Sequence, residues 1–348
     1  MPRIYIFCPG DIISGGVNSL QMLCKALNNE GYQAGICYIN QKKHVIEQLQ
    51  LLFGNPIFEE PSDHPGNIFV FPETMTEHSL NYKNAKIVIY WLSIHFFFKV
   101  PPHRIPFTFK IFQKLISTNW YNYDAQNIVK KIKYKIHKWN KYKSGIWDPK
   151  IYHIVNSFYI EYFLKQFGIN RVHVLHNPVR DEFYNSTINT ERSNIILVGP
   201  RTPKYIFYLL KKRFSDYQVI RIKNFKPEAL FALFQESKLV VELGAKNRDR
   251  IIREAALLGC IVLISNYGGG SLYQDTPIPS FYKIKPSVLM LKELIAKVDD
   301  ICANYEKHYT NLSSYKDFLI QEKINFPNNV KKIFFEIAKC TKLFFNFL

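Results

Sequence analysis

The sequence predicts an α/β protein made of two doubly wound domains in tandem. The 348 residues exceed the roughly 150 that one domain usually holds. Of these residues 47% are hydrophobic, which is enough for two buried cores. Short apolar runs alternate with helical patterns along the chain, the order that gives an open, mostly parallel sheet. A polar, turn-rich stretch, "HNPVRDEFYNSTINTERS" (176–193), separates two such series.

The first series opens with a β-α-β unit. The run "RIYIFC" (3–8) is typical of a strand that is covered on both faces, and "AGICYI" (34–39) predicts the next strand. Between them, apolar residues recur at helical spacing from Val17 to Leu27, and Gly31 is placed to end that helix. Later apolar runs predict further strands at 67–71, 85–92, 151–155 and 171–175.

The second series repeats this order after Ser193. Apolar runs predict strands at 194–199, 217–222, 238–243 and 261–265, and helical patterns fall at 203–214, 227–237 and 248–259. We therefore expect an N-terminal domain over 1–180, a C-terminal domain over 181–325, and an amphipathic helix over 326–348. Two Rossmann-like domains of this kind bind ligands in the cleft between the carboxyl ends of their sheets.

The composition indicates in which cellular compartment the protein works and what kind of partner it binds. The six cysteines are far apart and form no C-x-x-C pair, which argues against a disulfide framework or a zinc site. The N-terminus has no signal-peptide pattern, and no apolar run reaches the roughly 18 residues that cross a bilayer. We therefore expect a cytoplasmic protein. The net charge of +18 predicts anionic partners: nucleic acid, lipid headgroups or phosphorylated substrates.

Two basic segments leave alternatives open. The stretch Lys130–Lys143 carries seven lysines with Tyr134, Trp139 and Tyr142 between them. It is interpreted as a solvated surface, as a patch that binds an anionic membrane, or as a surface for single-stranded nucleic acid. Because no nucleic-acid module accompanies it, we expect no nucleic-acid partner. The predicted helix at 326–348 either packs across the first domain or contacts the inner face of the plasma membrane.

Glycines and basic residues follow the first strand of each series. Gly15 and Gly16 stand where the first helix begins, so its free N–H groups and the dipole favour an anion there. The alternative is a glycine turn needed only for tight packing. In the second series, Arg201 and Lys204 follow the first strand and are placed to reach a phosphate.

More positive charge surrounds the helix predicted at 248–259. Lys246, Arg250 and Arg253 lie near its start, together with the acid Glu254. The dipole at a helix start attracts a phosphate, and the basic side chains strengthen that attraction. The alternative is a set of salt bridges in which Arg248, Arg250 and Arg253 pair with Asp249 and Glu254, an arrangement of small energetic worth.

Taken in order, these motifs resemble the retaining GT-B glycosyltransferases of the glycogen-synthase-like superfamily (family 4 type). The set is "SGGVNSL" after the first strand, "VLHNPVRDEFY" at the domain joint, "LVGPRTPK", and "REAALLGCIVLIS" followed by "GGG". The joint matches the superfamily's pattern at Asn177, Val179 and Phe183. The helix matches at Glu254 and Gly259. The fuller string "DRIIREAALLGCIVLIS…GGGSLYQDTPIPSFYKI", with "VFPET" and "IYWLSIHFFF" earlier in the chain, also resembles a poorly characterised bacterial branch of glycosyltransferases.

The resemblance implies transfer of a sugar from a nucleotide-diphosphate sugar to a surface polysaccharide, lipopolysaccharide or lipid-linked acceptor, with retention. It implies that Glu254 accepts hydrogen bonds from the ribose hydroxyls. Two departures leave the donor sugar open. Lys246 stands where the superfamily has a second glutamate, and Arg201 and Lys204 are closer together than its arginine and lysine usually are.

The remaining candidates are an acceptor-side pair and a glycine loop. Glu73 and His95 each follow a predicted strand and have the chemistry of a base for the acceptor hydroxyl, or are satisfied polar residues at strand ends. The backbone amides of Gly268, Gly269, Gly270 and Ser271 are placed to reach the donor sugar or its phosphate.

We expect no cofactor and no metal, because no acidic pair with metal-ligand spacing lies near the phosphate site. The alternatives are a nucleotide-sugar epimerase with the same fold and a non-enzymatic basic protein that binds nucleic acid.

Overall fold

The structure, a computed structural model, describes residues 2–94, 97, 148–166, 168–188, 191–244, 248–266, 272–285 and 290–339. These residues divide into two compact units. The first takes the described residues up to Asn177 and those from Ile324 on, and the second takes those of Pro178–Lys323. The boundaries expected at 180/181 and 325/326 fall close to these divisions.

The first unit is a parallel sheet of six strands with helices in the connections. Its elements before Asn177 are β1 (Arg3–Pro9), α1 (Gly15–Asn29), β2 (Gln33–Ile39), α2 (Lys43–Phe53), β3 (Ile68–Pro72), β4 (Lys86–Trp91), β5 (Tyr152–Val155), α3 (Phe158–Gln166) and β6 (Val172–Val174). The strand order is β2-β1-β3-β4-β5-β6, and every pairing is parallel.

The second unit is a parallel sheet of five strands. Its elements are α4 (Glu182–Asn185), β7 (Ser193–Val198), α5 (Lys204–Arg213), β8 (Gln218–Arg221), α6 (Pro227–Glu236), β9 (Ser237–Glu242), α7 (Arg250–Leu257), β10 (Ile261–Ser265), β11 (Lys283–Ile284), α8 (Met290–Ala303) and α9 (Tyr305–Asn311). The strand order is β11-β10-β9-β7-β8. A final helix, α10 (Ser313–Lys339), contributes to both units.

Both sheets confirm the predicted α/β fold class of two doubly wound domains. The interior of β1 is buried along its length because alternate side chains enter different cores, Ile4 and Ile6 on one face and Tyr5 and Phe7 on the other. Helix α1 ends as predicted, since Gly31 follows it with a positive φ of 83°.

The C-terminal helix differs from the prediction in its start. We expected it to begin at 326, but α10 begins at Ser313 and continues through Pro327. Its second half buries a stripe of apolar side chains in the core of the first unit: Phe326, Val330, Ile333, Phe334 and Ile337. Over the described residues the helix therefore packs on the protein. This burial offsets the hydrogen bond that a proline removes from a helix. Residues 340–348 lie outside the described residues.

Among the described residues, no helix has both the length and the apolar content that a membrane crossing needs.

Candidate functional site

Each sheet has one point where the strand order reverses. In the first unit β1 lies between β2 and β3, and in the second unit β7 lies between β8 and β9. Ligands of doubly wound sheets bind at the carboxyl ends of the strands that flank such a reversal. The loops after β1 and β3, and those after β7 and β9, are therefore the places where site residues are expected.

In the first unit, Gly15 and Gly16 begin α1 at this edge. The side chain of Ser14 caps the helix by accepting a hydrogen bond from the backbone N–H of Val17 at 3.3 Å. A Cβ on Gly15 would meet nothing within 4 Å among the described residues, and one on Gly16 would make an ordinary contact with Leu92. Packing against the described residues therefore gives no reason for either glycine. Their role in binding a donor stays a prediction.

The domain-joint residue Asn177 is tied to the same helix start. Its Nδ2 donates to Ser19 Oγ at 2.6 Å, and Ser19 Oγ donates to the carbonyl of Gly15 at 2.9 Å. Both polar side chains are buried. The joint motif thus stabilises the first turn of α1.

Glu73 is buried at the end of β3, where it links two loops. Its carboxylate accepts hydrogen bonds from the backbone N–H groups of Leu92 (3.0 Å) and Ser93 (3.1 Å), which follow β4. These contacts fit the alternative interpretation, in which Glu73 is a polar residue at a strand end whose hydrogen bonds are satisfied. A role as base stays a prediction, and His95 lies outside the described residues.

In the second unit, Arg201 lies in the loop after β7 and Lys204 begins α5. The Lys204 side chain is exposed. The Arg201 side chain is 48% exposed and its guanidinium pairs with the carboxylate of Asp249. This ion pair joins the loop after β7 to the start of α7.

Asp249 changes the prediction for the start of α7. It is the N-cap residue of that helix, and its Oδ1 accepts a hydrogen bond from the backbone N–H of Ile251 at 3.2 Å. The helix start therefore already holds a carboxylate of the chain itself, which satisfies one of the backbone donors that we expected a phosphate to use. A diphosphate bound beside this helix would share Arg201 with Asp249.

Glu254 and Arg250 form an ion pair on α7. The distance from Arg250 Nε to Glu254 Oε1 is 3.1 Å, and the two side chains are 41% and 2% exposed, respectively. Burial raises the pKa of the Glu254 carboxyl to about 7, although Arg250, Arg180 and Arg253 act to lower it. Glu254 is thus a buried carboxyl group whose pKa lies near 7 and whose partner, Arg250, is half-exposed. These properties fit a residue that accepts hydrogen bonds from ligand hydroxyls.

Arg248 and Arg253 are buried. Arg248 donates to both carboxylate oxygens of Glu322 on α10, at 2.7 and 2.5 Å, and to the carbonyl of Asp275. Burial, followed by the charge of Arg248, lowers the pKa of the Arg253 guanidinium. The salt-bridge alternative therefore holds for Arg250 with Glu254, but Arg248 has a partner 74 residues away that the sequence did not indicate.

Several predicted residues cannot be placed. Lys246, the loop Gly268–Ser271 and the segment Lys130–Lys143 lie outside the described residues. In the part of the chain that is described, no group of three or more His, Cys, Asp or Glu side chains could hold a metal ion.

Glu242, the last residue of β9, was not among the predicted site residues. Its carboxylate is fully buried beside the loop that carries Arg201. An acid near the end of an apolar run that predicts a strand is the signal that could have found it, because ligands of doubly wound sheets bind at the carboxyl ends of strands.

Two parallel, doubly wound units with these edge loops make up the fold of the GT-B glycosyltransferases, and the chain has that fold. One similar structure is HepE of Anabaena in complex with UDP-glucose, with a TM-score of 0.60 and 11% identity over 96% of this chain and 99% of that one. The glycotransferase of kitacinnamycin is similar with a TM-score of 0.51 and 9% identity, over 94% and 97% of the two chains.

A third similar structure is an alpha-glucosyltransferase in complex with UDP and a 13-mer DNA containing an HMU base. Its TM-score is 0.50 and its identity 11%, over 94% of this chain and 99% of that one. No protein-family model matches the chain, and no curated protein matches it by sequence. At these identities the likeness concerns the fold, so membership of the glycogen-synthase-like superfamily stays a prediction.

Proposed function

We propose that the protein is a glycosyltransferase that moves a sugar from a nucleoside-diphosphate sugar to a glycan or glycolipid acceptor. The observation that carries this proposal is the edge of the second sheet at its reversal of strand order. There the half-exposed Arg201 and the exposed Lys204 follow β7, and Arg201 meets α7, the helix that holds Glu254 and Arg250.

The chemistry of these groups fits a nucleoside diphosphate. Sugar transfer builds negative charge on the leaving diphosphate, and cations that are already positioned there stabilise that charge. Arg201 and Lys204 would supply this stabilisation. Glu254 would accept hydrogen bonds from the ribose hydroxyls. The similar structures support the donor class, because one is a complex with UDP-glucose and another is a complex with UDP.

Three finer features belong to the same proposal. Transfer proceeds with retention, it needs no metal, and the acceptor is a surface polysaccharide, lipopolysaccharide or lipid-linked glycan met at an anionic membrane surface. Retention is supported only by the sequence resemblance. The basic segment Lys130–Lys143 supports the membrane surface as a meeting place.

A thermal-shift panel of nucleoside diphosphates and nucleotide sugars tests the proposal. We expect one base to raise the melting temperature, and Arg201→Ala to abolish the shift while Lys211→Ala, an exposed lysine of the same unit, retains it. Incubation with the donor alone then distinguishes the enzyme classes, because an epimerase needs no acceptor.

Three further outcomes would count against parts of the proposal. Activity that is lost in EDTA and restored by manganese would contradict metal independence. A product whose anomeric configuration is inverted relative to the donor would contradict retention. No shift with any nucleotide, together with tight and steeply salt-dependent binding of DNA or RNA, would contradict the glycosyltransferase proposal itself.

A further inference from the structure

Glu242 occupies an unusual position for a carboxylate. It ends β9 beside the reversal of strand order and has no solvent-exposed surface. A fully buried carboxylate costs free energy unless nearby donors satisfy its oxygens. The donors therefore indicate what the residue does.

Both oxygens of Glu242 accept hydrogen bonds from backbone N–H groups of two different loops. Oε2 accepts from Arg201 at 3.3 Å, in the loop after β7, and Oε1 accepts from Gly244 at 2.9 Å, in the loop after β9. The Thr202 hydroxyl lies 3.4 Å from Oε1, but its one proton has a closer acceptor in the carbonyl of Val241, at 3.1 Å. The carboxylate thus connects the two loops that flank the reversal.

Two glycines make this connection sterically possible. A Cβ on Gly199 would collide with the Glu242 carboxylate, and a Cβ on Gly244 would collide with the backbone of Arg201. Neither glycine has a positive φ. We attribute both glycines to the close approach of the loops around the carboxylate.

The same loop is held from its other side by Arg221 at the end of β8. Its Nη2 donates to the carbonyls of Pro200 at 3.0 Å and Thr202 at 2.8 Å. Backbone N–H groups and carbonyls of the loop after β7 are therefore fixed by side chains from both neighbouring strands. The half-exposed Arg201 side chain projects from a backbone that these bonds fix in place.

We propose that Glu242 is a positioning residue for the donor diphosphate, because it holds the backbone that presents Arg201. This inference rests on the proposed function. It assigns the residue no contact with the ligand.

The negative charge of Glu242 and its hydrogen-bonded oxygens predict opposite effects of Glu242→Gln on the affinity for a diphosphate. If only the negative charge mattered, its removal would favour an approaching diphosphate and tighten binding. If the accepting oxygens matter, binding weakens, because an amide has one acceptor oxygen and leaves either the Arg201 or the Gly244 N–H without its acceptor. The sign of the change therefore distinguishes the two.

Titration of Glu242 gives a second readout. Burial raises its pKa to about 7; the nearby carboxylate of Asp249 acts in the same direction, and the Gly244 N–H and Arg201 act to lower it. Among the described residues, Asp249 and Arg201 are the charged groups that act on it. Protonation as the pH falls through 7 should make the wild type resemble the glutamine variant.

The experiment is calorimetric titration with inorganic pyrophosphate, which requires no knowledge of the base. We expect Glu242→Gln to weaken binding about tenfold or more, and Glu236→Gln, which removes an exposed carboxylate of the same unit, to leave it unchanged. The ratio of wild-type to Glu242→Gln affinity should fall as the pH is lowered from about 8 to about 6. The ratio cancels the titration of pyrophosphate itself.

Equal or tighter binding by Glu242→Gln, or a ratio that does not change with pH, would overturn the assignment. If the glutamine variant does not fold, Glu242→Asp and the wild-type pH profile, corrected for protonation of pyrophosphate, replace it. The shorter side chain keeps the charge and withdraws the oxygens, so it should also weaken binding. A wild type that binds neither pyrophosphate nor any nucleoside diphosphate would instead contradict the proposed function.

Discussion

Asp249→Asn should make the protein bind a nucleoside diphosphate more tightly. Among the described residues, the carboxylate of Asp249 has two partners, the N–H of Ile251, which it caps, and the guanidinium of Arg201. Asparagine is as good an N-cap as aspartate, so the helix should be unaffected. The substitution removes the negative charge of Asp249. A bound diphosphate would then no longer share Arg201 with that charge.

The magnitude follows from two effects. Because the Arg201 side chain is 48% exposed, its pair with Asp249 is worth at most about 1 kcal/mol. A carboxylate and a phosphate that share one guanidinium lie on the order of 5 Å apart, where their repulsion in a water-like dielectric is about 1 kcal/mol. Removing one or both effects tightens binding by about 5- to 30-fold.

Calorimetric titration with a nucleoside diphosphate and with the uncharged nucleoside measures this change. Only the diphosphate should respond. Asp216→Asn, which removes an exposed carboxylate of the same unit, should change neither affinity. Asp249→Ala also frees Arg201 but loses the cap, so its stability should fall by about 1 kcal/mol. An Asp249→Asn variant of normal stability that binds the diphosphate no better than the wild type would refute the reasoning.

Three other predictions concern stability, measured by urea unfolding. Glu322→Gln should lower the free energy of unfolding by about 3 to 5 kcal/mol because it leaves a buried arginine without its carboxylate, whereas Asp317→Asn, on the exposed side of the same helix, should change little. Gly259→Ala should destabilise more than Gly31→Ala, since both have positive φ but only a Cβ at 259 collides with a neighbour. Because the pKa of Glu254 is raised, the folded state keeps a proton that the unfolded state releases between about pH 4.5 and pH 7. Its contribution to stability should therefore fall as the pH rises through that window, and Glu254→Gln should show a flatter profile.

The sequence predicted the strands well because their signal is local. A run such as 261–265 is apolar at every position, and β10 occupies the same residues. Gly31 follows the same logic, since a residue with a φ of 83° after a helix favours glycine. The two-residue β11 has no comparable run and was not predicted.

The site was less legible because its contacts are long-range. Arg201 and Asp249 are 48 residues apart, and nothing local shows that the helix start predicted for a phosphate is capped by an acid that also pairs with the β7 loop. Glu242 was missed for a similar reason, since its donors come from two loops. Pro327 obscured the helix that contains it, because only the tertiary burial of its neighbours shows that the helix continues.

The shared helix α10 has a consequence for synthesis of the chain. Residues 324–339 contribute five buried side chains to the core that contains Ile4 and Ile6, so this core is incomplete when Asn177 has been made. Nascent chains emerge N-terminus first, and domains usually fold as they emerge. Here the earlier unit must wait for residues that are made after the whole of the second, with an apolar face unprotected in the interval. We expect the fragment 1–177 to aggregate when it is expressed alone and to be rescued by a peptide of residues 324–339.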